Sequence, residues 1–331
     1  MFLNISAKDL GGGIHLIDLG ASGDASKYWE KLAPLIKLIG FDPNEAECER
    51  LNSQKSGYQS HLFLPYAITG TSGEYTLHKT KSIYCWSLLP PNLPWLERFE
   101  FGHHFEVEGT EKIQCYALDE IDELKNVDVD IIKVDTQGLE LPILKAGEHL
   151  LRNTIMIETE TGFVKNYIGE TTFDEVAAYL KAEGFGLFFI NSTRQQPRKN
   201  SLARIAENEE LLWCEAIWFR DYKNPASSAA IASLTREKAL KALCIYANHG
   251  CLSFGLEMAE VFADKSLISR SEFQELSAGP QAWELPQKDS TEEKGSRLRK
   301  LIRYIPRKFY SPMLFHLNEL KNTPHPFSKK A

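Results

Sequence analysis

The chain has 331 residues, of which 43% are hydrophobic and 25% are charged, a composition typical of a globular protein. Its 21 glycines, 15 prolines and 11% aromatic residues exclude a collagen-like, coiled-coil or disordered chain. The formal net charge of -7 divides unevenly, into +7 for the segment from Lys288 onward and -14 for the rest. An acidic body argues against a protein that coats nucleic acid.

In chain order, short apolar runs alternate with amphipathic stretches over the first two-thirds of the sequence. We predict strand 14–19, helix 27–35, strand 36–41, helix 45–54, strand 61–68, an added hairpin at 73–78, strands 113–118 and 129–134, helix 139–151, strand 155–160, helix 172–183, and strands 185–190 and 211–219. Asn44 is a candidate N-cap of the second helix, with Glu47 at the capping-box position.

This alternation of strands and helices predicts a parallel sheet covered on both faces. The last two strands have no helix between them, so we expect them to pair antiparallel at one edge. The fold class is therefore α/β, with a Rossmann-like sheet of seven strands whose last strand is antiparallel. A dehydrogenase would normally repeat a second βαβαβ half instead.

The sequence changes character after Asp221. A linker-like break at 224–228 precedes predicted helices at 235–247, 252–263 and 271–276, and the stretch 279–295 is polar. We predict a first domain at 1–222, a small helical extension at 223–278, and a flexible connector with a basic amphipathic tail at 279–331. Basic and apolar residues in 297–310 could contact an anionic membrane surface peripherally or dock on the acidic body. The extension could pack on the sheet or on a second subunit, which leaves a homodimer open.

We expect no targeting signal at the N-terminus, and the cysteines are scattered. Residues 1–10 have no apolar run of signal-peptide length, and no stretch approaches the roughly 18 to 20 apolar residues of a membrane span. The six cysteines lack a C-x-x-C pair, which is typical of reduced thiols in a cytoplasmic protein. Cys244, His249 and Cys251 are close in sequence, but without a fourth ligand we interpret them as packing residues.

A glycine turn follows the first predicted strand, in the run Ile17-Asp18-Leu19-Gly20-Ala21-Ser22-Gly23-Asp24. Such a turn lets a ligand lie close to the backbone, and Asp18 adds a carboxylate at the strand end. An acidic strand end suits the cationic S-adenosylmethionine (AdoMet), whereas a dinucleotide pyrophosphate prefers bare N–H groups. The turn also lacks the G-x-G-x-x-G pattern of a nicotinamide-dependent dehydrogenase.

Acidic residues end the next strands as well. Asp42 ends the second strand, where a carboxylate can accept hydrogen bonds from the ribose hydroxyls of a nucleoside cofactor. The third strand ends near Ala67, whose small side chain would leave space for an adenine ring. Asp135 follows the strand 129–134 and is expected to lie beside the first strand, close to the reacting end of the cofactor.

Two glutamates end the strand after that one. Strand alternation places Glu158 and Glu160 on the same side, where they could act as a general base or bind acceptor hydroxyls. Together with Asp135 they could also bind magnesium, although we favour a metal-free site. Solvated acids at a strand exit are the alternative interpretation.

The sequence resembles the FkbM family of AdoMet-dependent methyltransferases over residues 14–220, in the family's order. The resemblance is carried by IDLGASGDASKYWEKLAPLIKLIGFDPNEAECERLN, LPYAITGTSGEYTLH, CWSLLPPN, CYALDEIDEL and IKVDTQGLELPILKAGEHLL. The D-x-Q-G-x-E element in the last of these runs is fairly specific, whereas the glycine turn is generic. The segment IETETGFVKNYIGETTFDEVAAYLKAEGFGLFFI resembles a subgroup of the family. Gly23 falls one residue earlier than in the commoner family pattern.

The resemblance implies AdoMet as cofactor and the following site residues. Asp18, Gly20 and Ser22 would hold the methionine part of AdoMet, Asp42 the ribose and Ala67 the adenine, while Ser87 and Asp135 would border the transfer site and Glu158, Glu160 and Tyr167 would lie on the acceptor side. It also implies O-methylation of a hydroxyl on a sugar, glycan or related small-molecule natural product.

Methyl transfer requires alignment of donor and acceptor and a group that accepts the hydroxyl proton. We predict Asp135 or Glu158 for that base, and consider His103 and His104 less suitable because their region lacks clear strand or helix signals. The alternative function is a non-catalytic methyltransferase-like binding module that recruits a partner through its C-terminal helices.

Overall fold

A computed structural model describes residues 5–23, 29–199 and 210–285 of the chain. All of these residues belong to one compact unit. The predicted basic segment 297–310 and most of the predicted connector lie outside the described residues.

The strands are β1 (Ile14–Leu19), β2 (Ile36–Phe41), β3 (Ser60–Leu64), β4 (Ala67–Thr69), β5 (Gly73–Thr80), β6 (Val107–Ala117), β7 (Ile131–Val134), β8 (Met156–Gly162), β9 (Phe185–Gln195) and β10 (Leu211–Arg220). The helices are α1 (Glu45–Ser53), α2 (Leu93–Leu96), α3 (Glu140–Lys145), α4 (Glu148–Leu151), α5 (Phe173–Ala182), α6 (Ser228–Ala232), α7 (Arg236–Asn248), α8 (Leu252–Asp264) and α9 (Arg270–Ser277).

In the described part of the chain, seven strands form one sheet in the order β3-β2-β1-β7-β8-β10-β9. The first five are parallel, and β10 runs antiparallel to both β8 and β9. The predicted α/β fold is therefore confirmed, including the antiparallel end of the sheet. The order reverses between β1 and β7, and a ligand crevice is expected at the carboxyl ends of the strands there.

The predicted third strand, 61–68, was wrong in its extent. It breaks at Pro65, which has no N–H to donate to a strand partner, and the Tyr66 N–H bonds to the Leu64 carbonyl oxygen at 2.8 Å. The segment after the break, β4, joins a separate three-stranded sheet with β6 and β5. The stretch predicted as an added hairpin is the strand β5, whose antiparallel partner is the distant β6.

Two predicted helices also differ. The stretch 139–151 divides into α3 and α4 at Gly147, where a Cβ atom would lie 2.5 Å from the Leu118 side chain. Of the predicted helix 27–35, the described residues form turns and 3₁₀ structure instead of an α-helix, including the 3₁₀ turn Ala33–Leu35 with Pro34 in its first turn. The predicted cap of α1 is confirmed, because the Asn44 side chain accepts a hydrogen bond from the Glu47 N–H.

The C-terminal helices share a hydrophobic core with the sheet. Leu16, Met156 and Phe219 of the sheet belong to the same buried cluster as Leu243 of α7 and Phe262 of α8. Burial of this apolar surface is the main force that holds the helices against the sheet.

Buried ion pairs add to this interface. On α7, Lys238 and Lys241 place their ammonium groups 2.7 and 2.9 Å from the two carboxylate oxygens of Asp130, just before β7. Asp130 is completely buried, so these pairs fix where α7 lies on the sheet. None of the helices in the described part of the chain is both long and apolar enough to span a membrane.

Candidate active site

Two neighbouring cavities open at the carboxyl ends of the central strands. Cavity A has a volume of about 300 Å³ and lies over the ends of β1, β2 and β7. Cavity B has a volume of about 210 Å³ and lies over the end of β8. They share the lining residues Tyr84, Asp135, Gln137 and Glu160. This pairing provides room for two different molecules that meet at one carboxylate-rich boundary.

The glycine turn after β1 forms one wall of cavity A. Gly20 has a φ of +83°, and its N–H donates to the Phe41 carbonyl oxygen at 2.9 Å. A Cβ atom at Gly20 would lie 1.8 Å from the Asp135 carbonyl oxygen, so only glycine fits there. The turn is held from outside by Glu47 of α1, whose carboxylate accepts a hydrogen bond from the Gly23 N–H at 3.0 Å.

Asp42, at the end of β2, lines the same cavity. One of its carboxylate oxygens accepts a hydrogen bond from the Asn44 N–H at 2.8 Å. Burial, together with the nearby Glu47 and Asp18, raises the pKa of Asp42 to about 6. Tyr66 and Ala67 form the adjoining wall, with the Tyr66 ring stacked on Phe41. A flat apolar group next to a carboxylate is thus available for a nucleoside.

Below the cavities, three charged side chains lie side by side on adjacent strands. The register pairs Asp18 of β1 with Lys133 of β7, and Lys133 with Glu158 of β8. The Lys133 ammonium lies 2.8 Å from the Asp18 carboxylate. Burial favours the neutral amine, but the carboxylates of Asp18, Asp135 and Glu158 outweigh it and hold the Lys133 pKa above its usual value. Burial raises the pKa of Glu158 to about 7.

Gln137 positions Asp135 at the boundary of the cavities. It adopts the left-handed φ of +57°, and its side-chain amide donates to the Asp135 carboxylate at 2.9 Å. The Tyr167 hydroxyl lies 3.0 Å from the Gln137 side-chain oxygen, and the Ser87 hydroxyl donates to the Gln137 carbonyl oxygen at 2.8 Å. Strained backbone that is held from several sides is typical of functional sites.

The Glu140 side chain stabilises the loop after β7 by hydrogen bonds to the backbone of that loop. One of its carboxylate oxygens accepts hydrogen bonds from the N–H groups of Thr136 and Gly138, both at 3.1 Å. Burial raises the pKa of Glu140 to about 8. Burial and the adjacent Asp135 raise the pKa of Glu160 to about 9. Burial also raises the pKa of Asp135, against the opposing effects of Lys133 and Gln137.

The structure brings together most of the predicted site residues. Cavity A is lined by Gly20, Ser22, Asp42, Ala67, Ser87, Asp135 and Glu160, and cavity B by Asp135, Glu160 and Tyr167. The linings do not include Asp18 and Glu158, which lie one layer deeper along the strands.

The two histidines considered as alternative bases lie elsewhere. His103 and His104 are exposed on the 3₁₀ segment Glu100–Phe105, and neither lines a cavity. Among the described residues, no group of three or more His, Cys, Asp or Glu side chains is arranged to hold a metal ion.

Sequence reasoning missed several lining residues: Tyr84, Trp86, Gln137, Glu140 and Glu170. The motifs around them were visible, since Gln137 and Glu140 belong to the D-x-Q-G-x-E element and Trp86 to CWSLLPPN. Their positions in the cavity walls were not visible, because these walls combine segments that are far apart in the chain.

The strand order, the glycine turn and a cavity at the carboxyl ends of β1 and β7 define a Rossmann-like methyltransferase fold. A family profile described as "Methyltransferase FkbM domain" matches residues 18–187, about half of the chain. The chain therefore belongs to the FkbM methyltransferase family. Comparison with curated proteins finds no match.

Two solved structures are similar to the chain. One is a methyltransferase FkbM from Methylobacillus flagellatus, with 13% identity, a TM-score of 0.34, and coverage of 62% of this chain and 43% of that one. The chain thus spans less than half the length of that protein. The other is Streptococcus pneumoniae Sp1610, assigned as a candidate tRNA (m1A22) methyltransferase, with 14% identity, a TM-score of 0.29, and coverage of 84% and 97%.

Proposed function

We propose that the protein is an AdoMet-dependent methyltransferase that methylates a hydroxyl oxygen on a sugar, glycan or related natural product. The observation that carries this proposal is the meeting of cavities A and B at Asp135 and Glu160. In it, cavity A takes the methyl donor and cavity B the acceptor.

The walls of cavity A fit AdoMet, which is cationic at its methionine end. Gly20 and Ser22 let a ligand approach the turn closely, and the ion pair of Asp18 with Lys133 lies below them along the strands. Asp42 has a carboxylate oxygen beyond the one that Asn44 binds and can accept from ribose hydroxyls. Ala67 and Tyr66 fit the adenine. AdoMet, when bound, supplies an electrophilic methyl group.

The acceptor side needs one proton acceptor. Asp135 is the better base of the two boundary carboxylates, because Lys133 and Gln137 both favour its ionised form. Glu160 stays protonated beside it and can donate a hydrogen bond that orients the acceptor. Glu158, one layer deeper, acts on Asp135 through the shared Lys133.

The proposal is tested by calorimetry with AdoMet and S-adenosylhomocysteine, followed by transfer of labelled methyl groups from AdoMet to extracted glycans. We expect binding, and labelled products that are lost by at least about 100-fold in Asp135→Asn with cofactor affinity nearly unchanged. Glu108→Gln, on the exposed part of β6, is the control that removes a charge elsewhere. Failure of the folded protein to bind either nucleoside contradicts the proposal, and binding without any transfer would favour the non-catalytic module.

A further inference from the structure

Cavity B has a continuous aromatic wall. The ring centroids of Trp213 and Phe101 are 5.7 Å apart, those of Phe101 and Phe105 5.6 Å, and those of Phe105 and Tyr167 5.6 Å. All four rings line the cavity, and the exposed ring of Tyr84 stands at its boundary with cavity A. Ring faces attract cations as well as apolar groups.

The rest of this lining is rich in hydrogen-bond acceptors. Four carboxyl groups line it, those of Asp135, Glu140, Glu160 and Glu170. Within the described ranges, its lining includes no lysine or arginine. The cation that acts on Glu170 is Lys165, which is exposed and outside this lining. The cavity therefore combines acidic groups with aromatic rings and has no basic side chain of its own among those residues.

Two buried polar atoms in this lining lack a hydrogen-bond partner. The second carboxylate oxygen of Glu140 has no hydrogen-bond partner, although Glu140 is only 1% exposed. The side-chain oxygen of Asn166 also has none, and Asn166 is 6% exposed. A buried polar atom without a hydrogen-bond partner destabilises the protein, and a ligand that hydrogen-bonds to it removes that cost.

We infer that cavity B binds an acceptor that carries an ammonium group close to the hydroxyl to be methylated, such as an amino sugar. This inference rests on the proposed function, and it specifies the acceptor. An ammonium group donates three hydrogen bonds, stabilises the ionised forms of the carboxyl groups and lies favourably against aromatic faces. A neutral polyol donates hydrogen bonds but does not stabilise the ionised carboxylates, and an anionic acceptor would be repelled by the ionised Asp135.

Protonation should change when such a cation binds. Burial raises the pKa of Glu140 to about 8 and that of Glu170 to about 7, so both carboxyl groups are largely protonated at pH 6.5. A cation beside them lowers both pKa values, and protons are released to the solvent. Asp135 and Glu160 face the same space and respond in the same direction, whereas a neutral ligand releases none.

The test is calorimetry at pH 6.5 with glucosamine, glucose and glucuronate, which differ in charge on a common ring. Titrations are made in two buffers of different ionisation enthalpy, with and without saturating S-adenosylhomocysteine. We expect glucosamine to bind at least tenfold more tightly than glucose, glucuronate to bind weakest, and only glucosamine to release protons. Glu170→Gln, which keeps an acceptor for the Tyr167 N–H, should reduce the difference, and Glu108→Gln should not.

Equal or tighter binding of glucose or glucuronate overturns the inference, as does absence of glucosamine binding. The nucleoside titration judges the proposed function separately, because it reports on cavity A alone. The sugar titrations without nucleoside judge cavity B whether or not cavity A binds its ligand. Unfolding curves of Glu170→Gln confirm that any change in affinity comes from a folded protein.

Discussion

Gly20 lies directly against the main chain of Asp135, so that the turn after β1 and the loop after β7 touch without an intervening side chain. A Cβ atom at Gly20 would lie 1.8 Å from the Asp135 carbonyl oxygen. The contact joins the wall of cavity A to the carboxylate that we propose as the base. Two backbones can approach this closely only where no Cβ atom stands between them, and glycine meets that condition.

Replacement of this glycine should therefore be severe. We expect Gly20→Ala to lower the free energy of unfolding by several kcal/mol and to abolish nucleoside binding, because both strain and a backbone clash result. Gly23→Ala should cost about 1–3 kcal/mol, since Gly23 has a φ of +98° but open space around it. Gly109→Ala, in open space on β6, is the control. Urea unfolding of the three variants measures their free energies of unfolding. Equal losses of stability in Gly20→Ala and Gly23→Ala would contradict this prediction.

The pH dependence of catalysis should depend on Glu160. Burial and Asp135 raise the pKa of Glu160 to about 9, so it is protonated at neutral pH. As the pH rises through about 9, Glu160 ionises, loses its donated hydrogen bond and places a second charge beside Asp135. We expect kcat/KM to fall over that range, and Glu160→Gln to remove the fall at the cost of an about tenfold lower plateau. The measurement is kcat/KM of both proteins from pH 6 to 10. A fall in kcat/KM that persists in Glu160→Gln would be inconsistent with this role.

Glu140 should make stability depend on pH. Its folded pKa is about 8, raised by burial from 4.5, so between these values the folded chain holds a proton that the unfolded chain has lost. The free energy of unfolding therefore decreases as pH rises through this window, by up to about 1.4 kcal/mol per pH unit for one proton. Glu140→Gln keeps an acceptor for the loop N–H groups and should remove this contribution.

The measurement is urea unfolding at pH 5.5, 6.5 and 7.5. The difference between wild type and Glu140→Gln isolates the contribution of this one group, because other buried carboxyl groups change stability in the same direction. For Glu108→Gln, on the exposed part of β6, the free energy of unfolding should change with pH as it does in the wild type. If the free energy of unfolding of Glu140→Gln also changes with pH as in the wild type, Glu140 does not titrate in this window.

The ion pairs of α7 should be important for stability. Asp130→Asn removes the charge that Lys238 and Lys241 share and leaves two buried ammonium groups with less compensation. We expect a loss of about 3–5 kcal/mol in the free energy of unfolding. Lys223→Met, which breaks an exposed pair with Glu257, should cost less than about 1 kcal/mol. Thermal or urea unfolding compares the two, and similar small losses would mean that hydrophobic packing alone holds α7.

Local sequence patterns predicted those features of the fold that depend on neighbouring residues. Apolar runs such as Ile14–Leu19 and Ile36–Phe41 identified strands because a parallel strand is buried on both faces. The cap at Asn44 followed from its side-chain chemistry. The break at Pro65 was missed because the apolar run continues past it, and only the pairing partners of β3 and β4 separate the two.

For the site, the sequence by itself determined which residue types were available and in which order the strands carried them. Glycine after β1, and acids at or near the carboxyl ends of β1, β2, β7 and β8, can be identified without coordinates. Strand alternation also placed Glu158 and Glu160 on one face.

Only the tertiary structure decided which of these carboxylates reach a cavity. Glu160 lies two residues further toward the carboxyl end than Glu158, about 6–7 Å along the strand, and that distance separates a lining residue from a buried one. Asp18 is also absent from the cavity linings. It pairs with Lys133 of β7, a strand that is far from β1 in sequence. Depth within a sheet depends on long-range register and on the loops above it, and no local pattern encodes either.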